Sequence, residues 1–235
     1  MLKVDDLEVG YGGATVLKRI ALQVRPGQVV CLMGRNGVGK TTLLKSLMGL
    51  LRPSRGAIHF GEQDITRIPT DRRARAGMGY VPQGREIFPD LSVEENLELG
   101  LEAARDAKGK KPEKLPEVIW DSFPMLGKML TRRGGQLSGG QQQQLAIGRA
   151  LATDPKILLL DEPMEGIQPS VVQEIEHAIE TIKKKREIAV LLVEQSLDFA
   201  TKIADYSYIM DKGIIVAQGG PDELTDEMVR GHLTV

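Results

Sequence analysis

What this sequence lacks narrows it first. Among 235 residues there is one cysteine, Cys31, so no internal disulfide can form. A reducing compartment fits that usage. Charge of neither sign dominates. The net charge is −1, and no bulk field draws the chain to nucleic acid or acidic lipid. Long apolar runs are missing too. ILLL and IAVLLV are of strand length, far below the ~20 residues that cross a bilayer. If this chain works at a membrane, another chain must supply the span. The first residues, MLKVDDLEVGYGG, carry charge by position 5 and no apolar stretch of signal-peptide type. The rest is ordinary globular composition, 41% hydrophobic and 27% charged. That suffices for the core of one large domain or two small ones.

Short apolar runs alternate with helical patterns. VVCLM (Val29–Met33), MGYV (Met78–Val81), ILLLD (Ile157–Asp161) and IAVLLVE (Ile188–Glu194) read as buried strands. They are rich in Leu and β-branched residues without period-two alternation, as expected of a parallel sheet covered on both faces. A helix is expected between the last two. Ser170 is placed to cap it, and Val172, Ile175, Ile179 and Ile182 follow at helical spacing. The pattern is a βαβ unit and the fold class is α/β. Residues 1–30 and 55–66 read as short strands with Gly and Pro turns, an antiparallel edge. Residues from about 88 to 150 read as helical, interrupted by the polar segment Ala104–Pro116, which is expected to be an exposed loop. Its lysines, like Lys183–Arg186 near a helix C-terminus, read as solvated. No internal repeat is apparent.

Three stretches carry chemistry. GRNGVGKT, Gly34 to Thr41, has the G-x-x-x-x-G-K-[ST] spacing of a phosphate loop. It follows one expected strand and opens the helical TTLLKSLMGLL, the context the motif needs. Small residues let backbone N–H groups turn inward around phosphate oxygens, at a helix N-terminus that favours anions. Lys40 would reach the β- and γ-phosphates, and the Thr41 hydroxyl would bind Mg²⁺. In ILLLDE, Asp161 ends a buried strand, where a carboxylate can hold the Mg²⁺ shell. Glu162 would point the opposite way if the strand stays extended, and there it could polarise an attacking water. An acidic pair at a strand end more often caps or meets solvent. Beside a phosphate loop the catalytic reading prevails. LSGGQ, Leu137 to Gln141, precedes another helix. Ser138, Gly139 and Gly140 place free N–H groups at its start, a second anion site. A second cradle makes sense if it closes on nucleotide held by another subunit. Taken alone, it is equally a Gly-rich turn with a Ser cap.

The phosphate loop, LSGGQ and ILLLDEP, in this order and spacing, resemble the ATP-binding cassette (ABC) ATPases over essentially the whole chain. The resemblance implies a single ATP-binding domain with a P-loop (RecA-like) core and an antiparallel β subdomain, about 1–87 and 151–235. A helical subdomain would be inserted at about 88–150. It implies ATP and Mg²⁺ as cofactors and hydrolysis of ATP to ADP and phosphate. Two cassettes would sandwich two ATP molecules, each between one chain's phosphate loop and the other's Ser138, Gly139, Gly140 and Gln141. The implied ATP-binding set is Tyr11, stacking on adenine, with Gly34, Arg35, Asn36, Gly37, Val38, Gly39, Lys40, Thr41 and Thr42. The implied metal set is Thr41, Gln83 and Asp161. Glu162, Lys40 and Gln195 form the implied catalytic set. EGIQP, Glu165 to Pro169, would be the loop crossing the dimer interface.

Gln195 departs from the family, which carries His at this switch. An amide N–H can still donate to phosphate and does not titrate near pH 7. A hydrogen bond to a charged group is worth ~1.5–3 kcal/mol, so losing that contact would slow turnover without abolishing it. VEQ in place of VEH is similar to the ATPase subunits of branched-chain amino-acid uptake systems. LSGGQQQQLAIGRAL and EGIQPS are similar to the second ATPase subunit of urea-type importers, although Met164 stands where that group carries Thr. The resemblance thus implies an importer's energising subunit at the cytoplasmic face of the membrane, with urea as first solute and branched-chain amino acids as second. Its partners would be a sister ATPase or a second copy, two permease subunits and an extracytoplasmic solute-binding protein. A non-hydrolysing, ATP-gated clamp is a rival reading, which Lys40, Asp161 and Glu162 oppose. A DNA-repair cassette is another, but the long coiled-coil insertion and basic stripe of that class are missing, and nucleic acid is not an expected partner.

Overall fold

The computed structural model describes residues 1–104, 112–186, 188–195 and 197–224. Its strands are β1 (Leu2–Tyr11), β2 (Ala14–Val24), β3 (Val29–Met33), β4 (Arg55–Phe60), β5 (Gln63–Asp64), β6 (Met78–Val81), β7 (Ile157–Asp161), β8 (Ala189–Glu194), β9 (Tyr206–Asp211) and β10 (Ile214–Gly219). Its helices are α1 (Lys40–Leu47), α2 (Thr70–Arg75), α3 (Val93–Ala103), α4 (Glu117–Ser122), α5 (Pro124–Gly127), α6 (Gly139–Leu151), α7 (Pro169–Arg186) and α8 (Leu197–Ile203).

The strands form two sheets. One is antiparallel, in the order β2-β1-β4-β5. The other runs β10-β9-β3-β8-β7-β6, and only the edge strand β10 is antiparallel. The four strands expected from their apolar runs all lie in this second sheet. β1 and β2 are longer than the short strands expected there, at 10 and 11 residues.

Unbroken apolar runs suit this sheet because successive side chains enter opposite layers. Cys31, Met33, Leu158, Leu160, Val190 and Leu192 face a core shared with Leu97, Ile119, Leu145, Ile147, Ile175 and Ile179 of the helices. Val30, Leu32, Leu159, Leu191 and Val193 face the other core, with Leu43, Leu44 and Leu47 of α1 and with Leu2, Leu17, Ile20 and Ile58 of the antiparallel sheet. Each such side chain contributes ~1.5–3 kcal/mol by leaving water. The two cores clamp the sheet, so its strand ends are held rigidly.

Ser170 does not cap α7. The helix begins at Pro169, and the first turn closes when Val172 N–H donates to Gln168 O at 3.1 Å. Proline lacks an N–H and has a helical φ already set, so it takes the first helical position and pushes Ser170 inside. Ile175, Ile179 and Ile182 are buried as expected, with Val172 half-buried. Most of the loop expected at 104–116 lies outside the described residues. Lys183 is more than solvated, because it pairs with Asp205.

Candidate active site

The C-terminal ends of β3, β7 and β8 are neighbours in the parallel sheet. Each releases one part of the site there, the usual place for ligands in such sheets. β3 leads into the loop 34–39 and α1. Gly34 must lack a side chain: a Cβ there would stand 2.5 Å from Met210 O. Gly39 caps α1 at φ 115°, a backbone angle that disfavours any other residue. Asn36, Gly37, Gly39, Lys40, Thr41 and Thr42 line a pocket of about 460 Å³ together with Val16, Gln83 and Glu162. A second hollow of about 350 Å³ is lined by Gly34, Arg35, Asn36 and Gln195.

Lys40 is buried, with 4% of its side chain exposed. Its ammonium donates to Gly34 O at 2.6 Å and Arg35 O at 2.9 Å, and stands 3.4 Å from Glu162 Oε1. Glu162 does not continue the strand. Its φ of 48° is left-handed, an uncommon state for a non-glycine residue. The turn, anchored where Glu162 N–H donates to Val193 O at 3.1 Å, sends the carboxylate toward Lys40. Gln195 reaches the same oxygen, with Nε2 donating to Glu162 Oε1 at 3.1 Å.

Asp161 is 1% exposed. Thr41 donates to its Oδ1 at 3.2 Å. Burial pushes its carboxyl above the ordinary range and Glu162 adds to that, while Thr41, Lys40 and Lys45 oppose. Among the described residues, Asp161 Oδ2 has no hydrogen-bond partner. The Tyr80 hydroxyl is buried close by but also makes no hydrogen bond of good geometry, and burial and Asp161 raise its pKa. An orphaned carboxylate oxygen beside a hydroxyl fits a hard divalent cation, which needs few protein ligands when phosphate supplies the rest. Gln83 lines the pocket, with Nε2 donating to Glu165 Oε2 at 2.9 Å.

The residues 138–141 lie elsewhere. None of them lines either hollow. Ser138 and Gln141 satisfy one another in a capping box: Gln141 N–H donates to Ser138 Oγ at 3.3 Å and Ser138 N–H to Gln141 Oε1 at 3.0 Å. Gly139 packs under the Arg85 guanidinium and Gly140 under Val171. Tyr11 ends β1 and is 48% exposed, outside both hollows; Val16, from the next strand of its hairpin, is the residue that enters.

A family model described as ABC transporter matches residues 17–165. The chain belongs to the ABC transporter family. This cassette is 38% identical over 232 residues to the high-affinity branched-chain amino acid transport ATP-binding protein BraG of Pseudomonas aeruginosa, covering 98% of this chain and 97% of that one. It is 35% identical over 231 residues to the lipopolysaccharide export system ATP-binding protein LptB of Acidithiobacillus ferridurans, covering 98% and 95%. A solved ATP-binding cassette of an ABC transporter, in its ADP conformation, matches with a TM-score of 0.79 at 28% identity, over 100% of this chain and 94% of that one. The cassette is therefore an ATP-binding ATPase of the P-loop fold.

Sequence reasoning overlooked several residues of this cassette. Glu194 is 5% exposed and accepts from Met164 N–H and Gln195 N–H, both at 3.2 Å. Burial pushes its carboxyl up to about 7; those two bonds and Lys40 oppose the rise, and Glu162 adds to it. A carboxylate closing an apolar strand was the available signal. The glutamine run is not a plain polar face. Gln142 accepts from Arg85 at 3.2 Å, Gln143 is buried, and Gln144 is buried against Glu174. The Met164 side chain is partly buried and packs against the core shared with the helices.

Proposed function

We propose that this cassette is the energising subunit of an importer. Glu162 acts as general base on the attacking water, Lys40 holds the β- and γ-phosphates, and Gln195 donates to the γ-phosphate. Bound Mg²⁺ would neutralise charge on the phosphates, with Asp161, Thr41 and Gln83 holding its shell. The observation that carries the reading is the meeting of three groups from three strand ends: Lys40 and Gln195 lie 3.4 and 3.1 Å from the same Glu162 oxygen. The Lys40 ammonium and the Gln195 amide thus hold the Glu162 carboxylate in place beside the phosphate loop, within reach of a water that attacks there.

Residues 138–141 act on nucleotide held by a second cassette, either a sister chain or another copy. That none of them lines this chain's own pocket supports that division of labour. So does the position of Glu165–Pro169, directly after the catalytic turn. Within one domain, residues 1–87 and 151–235 bind nucleotide, and 88–150 pass motion to two permease subunits served by a solute-binding protein. Among the described residues no helix is long and apolar enough to cross a membrane; in this reading the permease subunits hold the cassette peripherally at the cytoplasmic face. The likeness to BraG supports branched-chain amino acids as the solute. Urea is the second reading and rests on QQQQ and EGIQPS alone.

Steady-state ATP hydrolysis beside Glu162→Gln tests the mechanism. Loss of a general base costs typically 10²–10⁴-fold, so turnover should fall at least 100-fold while ATP still binds. Equal turnover in both proteins would remove Glu162 from the role. Uptake of labelled leucine against labelled urea by the reconstituted assembly decides the solute.

A further inference from the structure

Glu194 lies outside both hollows, yet it touches the two segments that aim the catalytic groups. One carboxylate oxygen accepts from Met164 N–H, two residues beyond Glu162. The other accepts from Gln195 N–H. Gln195 Nε2 in turn donates to Glu162 Oε1 at 3.1 Å. The contacts close a ring: Glu162 to Met164 along the backbone, across Glu194 to Gln195, and back through the amide to Glu162. Glu162 is held at φ 48°, and such a conformation persists only when its surroundings over-determine it.

We propose that Glu194 is a positioning residue that locks the catalytic turn and the switch segment into one register. It rests on Glu162 and Gln195 acting as proposed above. Both bonds that Glu194 makes are acceptances from backbone N–H groups. The role therefore requires two oxygens that accept, which a carboxyl offers ionised or protonated, since the protonated oxygen keeps a lone pair. A glutamine has the same shape but offers one oxygen and an NH₂ group. Whichever way it is turned, a donor would face a donor. A residue that merely fills space would tolerate that exchange, and a register lock would not.

The test is Glu194→Gln in the full cassette, alone and combined with Gln195→Ala, with kcat and KM for ATP measured separately. Loss of register should lower kcat roughly 10-fold, the scale of one hydrogen bond to a charged group, with KM for ATP within about twofold since Lys40 and the phosphate loop are untouched. In the Gln195→Ala background the same exchange should cost much less, because the ring is already open. Unchanged kcat in Glu194→Gln, where Gln195→Ala alone lowers it, overturns the register lock. No effect of Gln195→Ala alone overturns the underlying reading of Gln195 instead. Should Glu194→Gln fail to fold, amide hydrogen exchange on the unmodified protein decides. Slow exchange at both Met164 and Gln195 supports the ring, and exchange at both as fast as in an open loop overturns it.

Discussion

Arg73 is fully buried, with 1% exposure, on the short helix α2. Its guanidinium donates to Ile68 O at 2.7 Å, Ser46 O at 2.8 Å, Leu47 O at 2.6 Å and Thr66 O at 3.0 Å. Ser46 and Leu47 close α1, the helix whose other end is the phosphate loop, so a cation sits at the negative end of that helix dipole. Burial lowers its pKa, and the Asp64 charge opposes that. Arg73→Met keeps an apolar stem and removes every donor. Four carbonyls at ~1–3 kcal/mol each set the upper scale. Removing a buried charge offsets several kcal/mol of desolvation, and the half-buried Thr66 and Ile68 admit water to their carbonyls. The net destabilisation is about 3–5 kcal/mol, typical of opening a buried charged network. At ~2–4 °C per kcal/mol for a chain of this size, Tm falls by roughly 10 °C. Arg73→Lys keeps the charge but presents a point donor without the planar fork, so it should recover only part of the loss. Calorimetry on the three proteins without nucleotide is the assay. A fall under about 2 °C for Arg73→Met, or Lys no better than Met, refutes the reasoning.

Gly34→Ala should abolish nucleotide binding, since its Cβ would meet Met210 O at 2.5 Å; titration with a fluorescent ATP analogue checks it. Ser138→Ala breaks one capping box and should lower stability by ~1 kcal/mol; urea unfolding with an unchanged m-value reads that directly. Glu194 holds its proton more tightly folded than unfolded, its pKa rising from 4.5 to about 7. The stability this proton contributes is complete below about 4.5 and is lost as pH rises through about 7, a swing on the order of 3 kcal/mol. Measured without nucleotide or metal, the Tm of the unmodified protein relative to Glu194→Gln should therefore fall across that window. A rise would mean that Lys40 and the two N–H groups outweigh burial and Glu162. Lys40→Ala should cost ATP affinity and turnover together, as isothermal titration and phosphate release would register.

Much of the cassette was legible because its signals are local. GRNGVGKT follows its strand and opens its helix within a few residues, and the left-handed backbone at Gly39 is a consequence of that spacing. The buried strands were legible because both faces of the parallel sheet are covered, which leaves unbroken apolar runs at 29–33, 78–81, 157–161 and 189–194. β9, YSYIMD, was missed because Ser and Tyr dilute its run, and it counts as a strand only through pairing with β3 and β10. Ser170 was misplaced because a cap and a second helical position differ by a single backbone hydrogen bond.

The sequence alone determined the phosphate loop, the acidic strand end and the α/β alternation. These depend on neighbours along the chain, where geometry is set by a few dihedral angles. Tertiary structure decided the rest: that β3, β8 and β7 lie side by side, that Glu162 turns toward Lys40, and that Gln195 and Glu194 close on that turn from 32 or 33 positions away. Those contacts exist because two apolar cores clamp the sheet between them and hold three strand ends within hydrogen-bonding distance. Spacing along a chain carries no record of that.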